Sequence, residues 1–218
     1  MHIYEGILSQ STAGAAVLAA GTVLTAGGTA LGLAKMDYER LPRVAMLSST
    51  FFVVSLINVP AGPTSMHLVL NGLVGLILGW AAFPALLVAL FLQAVFFQFG
   101  GLTPLGVNTL NMALPAVVCY YLYHRAVVAA NDKLALAAGF AAGVTGILLA
   151  ALMMALSLRI AAVEFRTIGT LIVISYLGLA LVEGLVTGSV VMFLRKVSPE
   201  LLRTPMLPAR ASNDGEHQ

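Results

Sequence analysis

HLVLNGLVGLILGWAAFPALLVALFLQAVFFQF, residues His67 to Phe99, is the stretch on which the fold turns. It is longer than the ~20 residues that one helix needs to cross a bilayer. It reads either as two short spans divided near Pro84 or as one long bent span. Loop charge separates the two readings, because cytoplasmic loops collect Lys and Arg. With two spans here, the chain has seven in all. An external amino terminus then puts nine basic residues inside: Lys35, Arg40, Arg43, Arg125, Lys133, Arg195, Lys196, Arg203 and Arg210. Only two, Arg159 and Arg166, stay outside. Merging the two spans flips everything downstream and leaves five inside against six outside. Seven spans with the amino terminus outside and the carboxyl terminus in the cytoplasm are therefore expected.

The composition agrees with an all-α, polytopic membrane helix bundle. The chain has 218 residues, of which 60% are hydrophobic and 9% charged, and its mean hydropathy is +0.97. Soluble domains carry roughly a quarter charged residues. A net charge of +2 says little, and lipid rather than nucleic acid is the expected surrounding. The single cysteine, Cys119, excludes an internal disulfide and any CxxC metal or redox site, and reads as a packing residue.

Outward from the central stretch, apolar runs cover about 13–34 and 44–59 before it, and about 105–123, 131–162 and 167–194 after it. Pro60 and Pro63 break the chain ahead of the third helix. Thr64 or Ser65 is a natural cap, which would put His67 in the first helical turn. Asn131-Asp132 caps the sixth span. The expected domains are a membrane unit over 1–197 and a polar cytoplasmic tail over 198–218, expected to be disordered.

The chain opens Met1-His2-Ile3-Tyr4-Glu5-Gly6 with no basic region before the first apolar run, so it does not read as a cleavable signal. A histidine at position 2 lets the α-amine of Met1, the backbone nitrogen of His2 and its imidazole close two fused chelate rings on one ion. Three nitrogens in a plane want a fourth, and tetragonal nitrogen sites suit Cu(II) and Ni(II), with Co(II) nearby in affinity. His67, expected on the same outer face, is the candidate donor. A helix dipole there would keep its ring neutral for coordination. The competing reading is that His2 is an incidental surface residue.

Three ordered motifs carry a resemblance. They are Met1-His2-Ile3-x-Glu5-Gly6, Pro63-Thr64-Ser65-x-His67, and Gly100-Gly101-Leu102-Thr103-x-Leu105-Gly106-x-Asn108-x-x-Asn111-Met112. Over about residues 1–197 the chain resembles the CbiM/NikM family of substrate-binding membrane components of cobalt and nickel energy-coupling factor (ECF) transporters. The resemblance implies a metal held by Met1, His2 and His67. It also implies an uptake role without an ATPase of its own or a catalytic cofactor, in a bacterial inner membrane. The implied partners are a CbiQ-like transmembrane coupling subunit, CbiO-like ABC ATPases and a small CbiN-like accessory protein. Glu5-Gly6 looks like the Co2+ branch, feeding cobalamin synthesis, whereas Ni2+ members more often show Pro-Asp-Gly. The chain also ends soon after its seventh helix, without the fused accessory region of many nickel members.

The remaining polar groups have two readings each. Glu5 could orient His2 or be a solvated interfacial charge. Asn108 and Asn111, spaced i, i+3, could line the site and brace the amino-terminal segment, or tie helices together. Thr64 and Ser65 complete the candidate outer shell. Glu183 is the acidic residue well inside a span and is a candidate for coupling to a partner. Gly28/Gly32, Gly75/Gly79, Gly139/Gly143 and Gly184/Gly188 are small-xxx-small steps that allow close helix approach. Two other classes compete with an uptake subunit. An intramembrane enzyme would need a motif such as HExxH, which is absent from the sequence. A stand-alone ion-coupled carrier would need midplane ionisable groups, for which only Glu183 qualifies.

Overall fold

The computed structural model describes residues 2–37, 39, 41–56, 58–61, 64–129, 131–161 and 166–203; of 58–61, 64–67 and 166–175 it describes the backbone alone. The elements are α1 (Thr12–Ala34), α2 (Leu41–Ser55), β1 (Asn58–Ala61), β2 (Thr64–His67), α3 (Asn71–Leu78), α4 (Ala82–Phe97), α5 (Leu105–Val128), α6 (Asp132–Ile160), α7 (Arg166–Val197) and α8 (Glu200–Arg203). Among the described residues, five stretches are long and apolar enough to cross a membrane: 12–34, 71–97, 105–128, 132–160 and 176–197. The chain is a multi-pass membrane protein. Its surface carries the side chains that lipid would cover, among them Val23, Phe91, Phe96, Leu152 and Leu185.

Over 71–97 the chain is not one straight helix: α3 and α4 run in opposite directions. Gly79, at φ +53 and ψ −123, stops α3, and a 3-10 turn over Gly79–Ala81 starts α4. A side chain rarely tolerates that backbone, which is why glycine stands there. Neighbours confirm the reversal. α3 runs alongside α5, with Gly75 against Ala116 and the Leu76 carbonyl 3.1 Å from His124 Nδ1. α4 runs alongside α2, with Ser48 donating to the Ala85 carbonyl at 2.8 Å and Gln93 donating to Ser55. Lys35 after α1, Gly79 and Trp80 at the turn, and His124 and Arg125 near the end of α5 line one cleft. So α1, α3 and α5 all finish at that end of the bundle.

Two expectations for this region are corrected. Thr64 and Ser65 do not cap a helix, and His67 is not in a first turn. Residues 58–61 and 64–67 pair as an antiparallel hairpin, with His67 opposite Asn58, and α3 begins only at Asn71. The dipole argument for His67 therefore lapses. An eight-residue helix rises only ~12 Å, short of the ~30 Å depth of a hydrocarbon core, and residues 68–70 before it are not helical. Non-helical backbone at such depth survives only when protein surrounds it, and every residue of α3 is buried, as are Val69 and Leu70. The tail is corrected in part as well. Residues 200–203 form α8, and Leu202 is buried; residues 204–218 lie outside the described residues.

Elsewhere the packing follows the small residues. At Gly143 a Cβ would sit 2.5 Å from the Glu183 carbonyl oxygen, and at Gly139 it would meet Gly188. α6 and α7 therefore touch backbone to backbone. Gly28 makes room for the Phe83 ring, and Gly32 for the Trp80 carbonyl and the Pro84 ring. Asn131 caps α6, accepting from the amides of Lys133 and Leu134. Cys119 is buried, its thiol 3.4 Å from the Ala142 carbonyl.

A candidate metal centre at the amino terminus

The first residues do not drape over the surface. Leu8 to Gln10 make a short 3-10 turn, and Ser11 caps α1 while its hydroxyl reaches the Ala161 carbonyl at 2.9 Å. From there, read backwards, the chain dives into the bundle. Ile3 is 2% exposed and His2 8%. Asn108 holds this segment as a neighbouring strand would. Its Oδ1 accepts from the Ile3 amide at 2.9 Å and its Nδ2 donates to the Ile3 carbonyl at 3.0 Å. Both backbone groups of a residue that would otherwise be unsatisfied at depth are matched by one side chain. The His2 ring lies against Phe99, centroids 6.2 Å apart and planes 21° apart.

The loop from Gln98 to Pro104 forms the other wall. Glu5 accepts from the Thr103 hydroxyl and, at 3.3 Å, from the Thr103 amide. Gly101 sits at φ +113, and a Cβ there would fall 1.8 Å from a Glu5 carboxylate oxygen. Gly100 likewise lies beside Asn108 and His2. The glycine pair lets the loop backbone close on the amino-terminal segment. Glu5 thus clasps Thr103 while remaining exposed at the rim of this segment.

Asn108 and Asn111 part company. Asn108 braces the amino-terminal segment, while Asn111 Oδ1 faces Ser157 Oγ on α6 at 3.5 Å and ties two helices. Glu183, fully buried on α7, accepts from the amides of Val69 and Leu70. Met1 lies outside the described residues, and so do the side chains of His67, Thr64 and Ser65, whose backbones form β2. Among the described residues no group of three His, Cys, Asp or Glu side chains could hold a metal ion. Sequence reasoning missed Phe99, Thr103 and the grip of Glu183 on residues 69–70. Thr103 stood within a quoted motif, but its partner Glu5 is 98 residues away.

Residues 2–201 match the family described as "Cobalt uptake substrate-specific transmembrane region", CbiM. This chain belongs to the CbiM family. It is 38% identical to a putative metal transport protein of Haemophilus influenzae, over 93% of this chain and 97% of that one. It is 32% identical to the fused nickel transport protein NikMN of Rhodobacter capsulatus, over 96% of this chain and 67% of the relative. It is also 31% identical to the cobalt transport protein CbiM of Sorangium cellulosum, over 74% and 76%. The crystal structure of a truncated transition metal transporter superimposes with a TM-score of 0.70 at 28% identity, covering 90% of this chain and 97% of that one. The cobalt and nickel resemblance read from the three motifs is thereby established at the level of the family. CbiM-family membership makes this chain a component of metal transport.

Proposed function

We propose that this chain is the substrate-capturing component of an ATP-driven ECF importer. It takes Co2+ from outside into a planar site built by the Met1 amine, the His2 amide nitrogen and imidazole, and His67. The observation that carries this reading is the seating of the first residues. Burying His2 and matching both backbone groups of Ile3 on Asn108 immobilises a segment that termini ordinarily leave loose. A chelate made from the chain's own start requires such immobilisation. Its three nitrogens are then presented in one fixed plane at little further cost in entropy. In this reading the chain crosses a bacterial inner membrane seven times, and this segment and the strands β1 and β2 lie on its outer side. Transfer inward then falls to a CbiQ-like coupling subunit, CbiO-like ATP-binding-cassette ATPases and a small CbiN-like accessory membrane protein. Cobalt is favoured over nickel by Glu5-Gly6 following His2-Ile3.

Purified protein with native, N-acetylated and one-residue-extended starts, and with His67→Ala, tests the ligand set. Tight Co2+ binding is expected only from the native start with His67 present. An extended start that binds normally removes the amine from the site. The free amine has a reference pKa of about 7.7–8.0 and must lose its proton to bind. Coordination by the His2 amide nitrogen displaces its proton too, so affinity should fall as pH drops from 8.5 to 6, roughly tenfold per unit above the amine pKa and roughly a hundredfold below it, and calorimetry should register proton release. Competition between Co2+ and Ni2+ in the same titration decides the metal, and a clear preference for Ni2+ would reverse that assignment.

A further inference from the structure

We propose that Glu183 is a positioning residue for the metal centre, acting through the backbone that follows His67. The inference rests on the reading of His67 as a ligand. Glu183 is fully buried on α7, and its own backbone is clamped by α6, since even a Cβ at Gly143 would strike the Glu183 carbonyl. Its carboxylate accepts from the Val69 amide and from the Leu70 amide, the latter at 2.9 and 3.0 Å to the two oxygens.

Those two amides need it. They lie where the chain has left β2 and has not yet entered α3, so neither strand nor helix supplies them an acceptor. Leu70 stands at φ +51 as the residue preceding α3, with no side-chain cap of its own. A left-handed leucine persists only where its surroundings hold it. A carboxylate from a neighbouring helix does the capping that the local sequence omits, at the end of α3 where the dipole favours an anion.

His67 is two residues from Val69, at most about 7 Å of chain. Fixing the amides of 69 and 70 against the α6–α7 pair therefore fixes the height at which β2 leaves the hairpin. The donor of residue 67 can then vary only within that short tether.

The test uses full-length purified protein and Co2+ itself. Glu183→Gln keeps the shape and one strong acceptor, and Glu183→Ala removes both. Ser48→Ala, which deletes a buried hydroxyl bond between α2 and α4, is the control for lost stability alone. Hydrogen exchange in the metal-free protein should quicken at residues 68–70 in both Glu183 variants, more in Glu183→Ala. Co2+ should dissociate at least tenfold faster from Glu183→Ala, and by less from Glu183→Gln. Ser48→Ala should dissociate as the parent does. Unchanged dissociation from the Glu183 variants, with quickened exchange at 68–70, overturns the proposal while a defect in His67→Ala leaves the ligand reading intact. If His67→Ala holds Co2+ as tightly as the parent, the ligand reading fails and this proposal falls with it. Should Glu183→Ala not fold, the isosteric Glu183→Gln decides on the same criteria.

Discussion

One asparagine does what a whole strand usually does. Asn108 presents an acceptor and a donor in the spacing of a peptide unit, and the Ile3 amide and carbonyl take both. Asn108→Ala leaves two buried backbone groups without partners, a loss of ~2 kcal/mol or more. Co2+ affinity should drop by tenfold or more while the unfolding temperature in detergent moves only slightly, because the segment held is local. Titration and thermal unfolding on the same sample check this, and an unchanged affinity would remove Asn108 from the site. The sequence allowed two roles for Asn108 and Asn111 alike and could not divide them. Their spacing puts both on one side of α5. Which faces the amino-terminal segment and which faces α6 depends on helix rotation, and that is set by packing elsewhere. The polar residues at the clasp show the same limit, since Glu5 and Thr103 are close only after folding.

At the scale of elements, helices were legible because hydropathy and length mark them, and Asn131 announced its own cap. The hairpin was not. In an apolar chain Thr64 followed by a hydrophobic run looks like a helix start, whereas strand pairing with 58–61 depends on partners that hydropathy does not reveal. A break in this stretch was legible from its length and Pro84, but it falls earlier, at Gly79, and Pro84 lies in the first turn of α4. The position of α3 depends on a close approach that glycine alone permits. A Cβ at Gly75 would sit 2.0 Å from the Ala116 carbonyl oxygen. Gly75→Ala must push α3 off α5, and overpacking of that kind costs about 1–3 kcal/mol. The expected result is a lower unfolding temperature and weaker Co2+ retention together. Gly178→Ala, with open space around its Cβ, should change neither.

For the whole molecule, the proposed seven-span topology, with the amino terminus outside, makes a directional prediction. Cys119 is buried, so the parent protein should be silent towards a membrane-impermeant maleimide in intact cells. Gln10→Cys, exposed beside the start of α1, should react from outside. Lys196→Cys, exposed near the end of α7, should react only once the membrane is opened. The reverse pattern would invert the orientation and put the metal-capturing face in the cytoplasm. The seating of Ile3 on Asn108 spans 105 positions of sequence, and that separation governs how the protein is made. The opening residues leave the ribosome first, yet the cradle that receives them does not exist until the fifth helix has been inserted. The earliest part of the chain must wait, untethered, through more than half of translation.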